Sequence, residues 1–115
     1  VTENHSHPIL ALVRDLMFSG RIAAEARAAG AACKIVRDPT KLPADGRLLI
    51  VDLNLAGAID AAAEWQKGGG TVVAFVAHTD EHIISQAREA GIQRVLARGR
   101  FVQILPELLR QGLPS

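Results

Sequence analysis

The chain has 115 residues and a mass of 12.3 kDa, enough for one domain that buries its own core without metal or disulfide support. An apolar share of 49% and a charged share of 22% exclude the low-hydrophobicity, high-charge composition of a disordered chain. Lys and Arg number 13 against 12 Asp and Glu, a formal charge of +1, which excludes the broad basic footprint of a protein that binds nucleic acid through its phosphates.

In chain order, residues 1–7 are polar, with no basic stretch leading into an apolar one, and are expected to be a disordered N-terminal segment. Residues 8–112 are expected to form the single domain. No apolar run is long enough to cross a bilayer, so no membrane contact is expected. The lone cysteine, Cys33, has no CxxC partner and reads as a small buried hydrophobe, which suits a reducing cytoplasm.

Pro8 opens the run Ile9, Leu10, Ala11, Leu12, Val13, too short for a helix and apolar at every position, as a strand buried on both faces should be. Phe18, Ile22, Ala26 and Ala29 then recur at helical spacing up to Gly30. Residues 32–36 predict a second strand. The stretch 37–46, broken by Pro39, Pro43 and Gly46, predicts a loop or a single turn where a helix would otherwise follow.

Residues 48–51 predict a third strand ending at Asp52, and 58–67 a helix stopped by Gly68, Gly69 and Gly70. That glycine triplet follows a helix and precedes a strand, the reverse of a phosphate cradle at a helix N-terminus. Trp65 on the helix reads as packing. Residues 71–76 predict the fourth strand, and Thr79 is the expected N-cap of a helix carrying Ile83, Ile84, Ala87 and Ala90. A short fifth strand at 94–97 precedes a last helix with Phe101, Ile104, Leu105, Leu108 and Leu109 on its buried side. Pro106 is tolerable there only in a first turn. Strands alternating with helices in this way predict an α/β domain with a parallel sheet, covered on both faces through right-handed crossovers.

Ligands of such a sheet bind beyond the carboxyl ends of its strands. The residues expected there are Arg14, Asp15, Asp52, Asn54, Ala77, His78 and Arg98. His78 and His82 are four apart, but no third ligand accompanies them. No GxxxxGK[ST] loop accompanies the strand that ends in Asp52, and no nucleophile motif is present, so no enzymatic activity is expected.

The stretch Asp52, Leu53, Asn54, Leu55, Ala56, Gly57 is close to the Asp-x-Asn-x-Pro-Gly loop that holds the phosphoacceptor of response regulator receiver domains in two-component signalling. The chain resembles that family over nearly its whole length. The resemblance implies a doubly wound (βα)5 flavodoxin-like fold, with a parallel five-stranded sheet of order 2-1-3-4-5 and the second helix reduced or missing. It places Asp52 at the phosphoacceptor position and Asp15 on the second of the family's two adjacent metal-binding acids. Arg14 falls on the first of those acids, Ala77 on the hydroxyl residue that senses the phosphoryl group, and Arg98 on the lysine that contacts it.

These departures carry consequences. Receiver phosphorylation needs Mg²⁺, a hard cation that wants oxygen ligands, and Arg14 is expected to bond Asp15 or Asp52 and take the metal's place. No bound metal is therefore expected, the residual candidates being Asp15, Asp52 and Asn54. Ala77 lacks the switching hydroxyl, and the chain has no Tyr to act as the surface aromatic.

The expected protein is an atypical receiver, or pseudo-receiver, acting through protein–protein interaction with a protein partner or a flanking signalling domain. The alternatives are a working receiver phosphorylated on Asp52 with Mg²⁺, and a small-molecule or nucleotide-binding flavodoxin-like domain. Without a second crossover helix, part of one sheet face or the edge beside the second strand is expected to be exposed, as a surface for self-association or partner docking. By family analogy a homodimer would use a face carrying Ile84, Arg88, Arg94 and Phe101. No nucleic acid and no other cofactor are expected.

Overall fold

The structure is a computed structural model that describes residues 7–77 and 80–111. Five strands, β1 (Ile9–Leu12), β2 (Cys33–Val36), β3 (Leu48–Asp52), β4 (Val72–Val76) and β5 (Val95–Ala97), alternate with the helices α1 (Leu16–Ala29), α2 (Ala58–Lys67), α3 (Glu81–Glu89) and α4 (Arg98–Gln111). The strands form one sheet of order β2-β1-β3-β4-β5, and every pair is parallel. This is the expected doubly wound flavodoxin-like receiver fold.

Alternation of side chains along each strand divides the interior into two cores. Ile9, Ala11, Val13, Leu48, Ile50, Val73 and Phe75 face α1 and α4, while Leu10, Leu12, Leu49, Val51, Val72, Ala74 and Val76 face α2 and α3. A strand covered on both sides has no position left for a polar residue, which is why β1, β4 and β3 up to its last residue, Asp52, read as unbroken apolar runs. Full burial of each large aliphatic or aromatic side chain is worth ~1.5–3 kcal/mol.

The second crossover has no α-helix. Between β2 and β3 lies only a 3-10 turn, Pro39–Lys41, capped by Asp38, whose carboxylate accepts from the Thr40 amide at 3.0 Å and the Thr40 hydroxyl at 2.8 Å. The segment is pinned from the far side by Trp65, whose indole N–H donates to the Pro43 carbonyl at 3.0 Å. Trp65 is thus core packing with its one polar atom satisfied. Lys34, on the uncovered part of this face, is exposed.

Several element ends differ from the sequence expectation by one residue: β1 stops at Leu12, β2 starts at Cys33 and β5 starts at Val95. The cap of α3 is Asp80, not Thr79; its carboxylate accepts from the His82 amide at 3.0 Å and the Ile83 amide at 3.4 Å. Thr79 and His78 lie outside the described residues, as do 1–6 of the expected disordered segment and the end of the chain from 112.

Pro106 sits inside α4 rather than in its first turn, because the helix starts at Arg98, immediately after β5. A proline there deletes one helix hydrogen bond, and burial of Phe101, Leu105, Leu108 and Leu109 holds the helix across the gap. Phe101 therefore belongs to the core, not to an exposed association face, since its ring points inward from α4 onto the sheet. Cys33 is half-buried rather than enclosed, and burial pushes its thiol up to about 11.

The anchoring of the short crossover rests on a close approach. A Cβ on Gly70 would lie 2.2 Å from the Trp65 ring, and a buried indole cannot move that far without losing its packing and its bond to Pro43. Gly70→Ala is expected to cost about 1–3 kcal/mol by overpacking, read as a lower thermal midpoint with altered Trp65 fluorescence. An unchanged midpoint would contradict this account.

Candidate functional site

The carboxyl ends of β1, β3, β4 and β5 deliver the candidate residues to one end of the sheet. Beyond β1 the chain turns directly into α1, and Asp15 is its N-cap: one carboxylate oxygen accepts from the Met17 amide at 2.9 Å and the Phe18 amide at 3.1 Å. These are two of the donors a helix start leaves without partners. The other oxygen lies 3.6 Å from the Arg98 guanidinium. The Phe18 hydrogen bond is the chief reason that the Asp15 carboxyl is held below its usual value; partial desolvation opposes it, and Met17 and Arg98 reinforce it.

Arg98 is fixed from a second direction. Its guanidinium carbon stands 4.1 Å from the centre of the Phe18 ring, a cation–π distance. Phe18 in turn meets Phe75 edge-on at 5.0 Å, and Phe75 stacks on Phe101 at 4.6 Å. The 3 phenylalanines of the chain therefore form one column, from α1 through β4 to α4, with the arginine at its rim.

The second group of residues belongs to the loop after β3. Asp52 is half-buried at the strand end, opposite Phe75 in register, and its carboxylate accepts from the Asn54 amide at 2.9 Å. The Asn54 side-chain oxygen accepts from the Ala77 amide at 2.6 Å, tying this loop to the end of β4. Ala77 contributes its backbone, not a side-chain donor. The loop closes into α2 through Gly57, whose φ of 82° is a left-handed conformation that a side chain would strain. The far side of the loop, with Ile83, Gln86 and Glu89 of α3, borders an open groove of about 590 Å³.

The structure therefore joins Asp15 with Arg98, and Asp52 with Asn54 and Ala77. Arg14 is not where the sequence argument put it. It is exposed and makes no ion pair with Asp15 or Asp52 among the described residues; its charge acts instead on Asp38. The physical reason is the abrupt turn into α1, which spends the Asp15 carboxylate on the helix start and leaves the following β5–α4 junction to supply the cation. His78 lies outside the described residues. Among the described residues no cluster of three or more His, Cys, Asp or Glu side chains could hold a metal ion.

Sequence reasoning missed the phenylalanine column, the Arg98–Phe18 stacking and the capping role of Asp15. A signal for the last was present: Asp15 immediately precedes the first residue of a helical apolar stripe, the ordinary N-cap position. It also missed Leu16 and Met17, which are 67% and 87% exposed beside the site.

No protein-family model and no curated protein matches the sequence. Solved structures do match. A response regulator receiver domain protein (CheY-like) from Methanospirillum hungatei JF-1 is 12% identical, with 91% of this chain and 94% of that chain covered at a TM-score of 0.70. A response regulator from Thermotoga maritima is 12% identical, with 95% and 99% covered at 0.68. A putative pilus assembly-related protein from Burkholderia pseudomallei K96243 is 14% identical, with 100% and 97% covered at 0.62. At these identities the likeness is one of fold, and it agrees with the sheet order and helix placement described above.

The Asp15 arrangement has a pH signature. A carboxyl whose folded value lies below its unfolded 3.8 adds stability that is complete above the unfolded value and is lost as pH falls through the folded one. Asp15→Asn keeps an oxygen for the cap but no charge, so the variant is expected to lose less stability than the wild type on acidification through that window. Parallel melts at neutral and acid pH measure the difference; identical acid losses would show that the charge contributes nothing.

Proposed function

We propose that the chain is an atypical receiver-like signalling module that acts through protein–protein contact and does not undergo ordinary Mg²⁺-dependent phosphorylation on Asp52. One observation carries the reading: both carboxylate oxygens of Asp15 are engaged, one by the amides that start α1 and the other by Arg98. A divalent ion at this end of the sheet would have to displace a helix cap and a guanidinium that is itself stacked on Phe18. Arg14 adds a fixed positive charge at the adjacent position. This donor set does not suit Mg²⁺, which demands near-ideal oxygen coordination.

Ala77 supports the same reading. Its amide is used by Asn54, and its methyl group cannot follow a phosphoryl oxygen as a hydroxyl would. The module is proposed to be a binding protein rather than an enzyme, working in the cytoplasm without nucleic acid, and to pair with a protein partner or a flanking signalling domain. No helix of the described residues is long and apolar enough to cross a membrane.

A second reading, phosphorylation of Asp52 by altered metal use, is favoured by the placement of that carboxylate. It stands half-buried at the end of β3, on a loop that Asn54 ties to β4, where an incoming phosphoryl group would find a partly shielded nucleophile. The two readings part in one experiment. Intact-mass analysis of the wild type with acetyl phosphate and Mg²⁺ is expected to show no phosphoryl increment, and beryllofluoride is expected to leave the thermal midpoint unchanged. A stoichiometric increment that disappears in Asp52→Asn would establish the second reading and end the first.

A further inference from the structure

β2 has a single strand neighbour, and the crossover that follows it carries no α-helix. The sheet order puts β2 at the edge, paired only with β1. Two bonds define which way its backbone faces: the Ile9 amide donates to the Ala32 carbonyl at 2.9 Å, and the Val13 amide donates to the Val36 carbonyl at 3.0 Å. In a parallel ladder the groups alternate along the strand, so residues 32, 34 and 36 turn their N–H and C=O toward β1. The backbone groups of Cys33 and Ile35 therefore face outward from the sheet.

An open groove of about 380 Å³ runs along this edge, lined by Lys34, Ile35, Val36, Arg37, Asp38 and Lys41. Its charge is one-sided. Lys34, Arg37 and Lys41 are exposed and form no ion pair among the described residues. The one acid, Asp38, is occupied by the amide and hydroxyl of Thr40, and it already feels Lys41 and Arg14.

An exposed edge invites another strand. A second copy of this chain is disfavoured, because edge-to-edge pairing of two β2 strands would set Lys34 and Arg37 against their own equivalents. The same charges select a partner of opposite sign. We propose that the outer edge of β2 is a docking site for an extended acidic peptide segment of a partner protein. That segment would add as a sixth strand, its backbone pairing with Cys33 and Ile35 and its carboxylates meeting Lys34, Arg37 and Lys41. The proposal specifies a surface for the protein-interaction reading above but does not depend on the fate of Asp52, so a failure here would leave the phosphorylation result standing.

The test uses the full chain and a fluorescent peptide of about eight residues, the length of an ordinary strand, alternating Glu with Val and Thr. Saturable binding by anisotropy is expected, weakening with added salt and by tenfold or more in Lys34→Glu/Arg37→Glu, with Lys34→Gln/Arg37→Gln as the milder variant should the first fold poorly. Amide exchange at Cys33 and Ile35 is expected to slow on binding. N-methylation of alternate peptide amides, which removes the donors of one strand edge, is expected to abolish it. No saturable binding would overturn the proposal. So would equal binding of the N-methylated peptide, which would mean charge attraction without strand pairing, or tighter binding of a polyuridine oligonucleotide of the same length.

Discussion

A carboxylate has two oxygens, and at the end of β1 both are committed. Asp15 gives one to the first amides of α1 and the other to Arg98, so one side chain starts a helix, neutralises a cation and links the first strand to the last helix. The rest of this end of the molecule follows from that division. Arg98 can lie over Phe18 because its charge is met on the other side. Phe18 can hold its ring against Phe75 because the helix that carries it begins at a fixed point. The stacking of Phe75 on Phe101 then ties α4 to the sheet below.

The end of the sheet around Asp15 and Asp52 is tied together internally. Its polar groups satisfy one another through local geometry: an N-cap, an Asx-type turn from Asp52 to the Asn54 amide, and a side-chain amide oxygen on the Ala77 N–H. Hydrogen bonds of this kind are individually modest but costly to break without replacement. Leu16 and Met17 stand exposed at its rim.

The short crossover has its own logic. Removing a helix from one face of a parallel sheet exposes apolar surface unless something else covers it. Here Trp65 reaches across to the Pro43 carbonyl and Leu42 packs on the second core, while the strand at the edge places Lys34 where a helix would otherwise demand an aliphatic residue. Gly70 is part of the same solution, since the indole occupies the space that its side chain would need. The single charged residue of β2, Lys34 between Cys33 and Ile35, thus marks the point where the short crossover leaves that face of the strand open.

The sequence alone determined the fold. Five apolar runs of strand length, Gly30 and the Gly68 to Gly70 triplet after the helical stripes, and Pro39 and Pro43 in the second crossover are local features whose physics acts over a few residues, and such signals survive without knowledge of the partners. The strand order and the loop around Asp52 were legible through the resemblance those residues carry. What only the tertiary structure decided was the pairing of charges and rings. Whether Arg14 or Arg98 meets Asp15 depends on where α1 begins and on how β5 passes into α4, two points 83 residues apart in the chain if counted from Asp15 to Arg98. Likewise nothing local to Phe101 distinguishes a core ring from an exposed one. Long-range electrostatic and aromatic contacts are set by the relative placement of elements, and that placement exists only once the sheet has assembled.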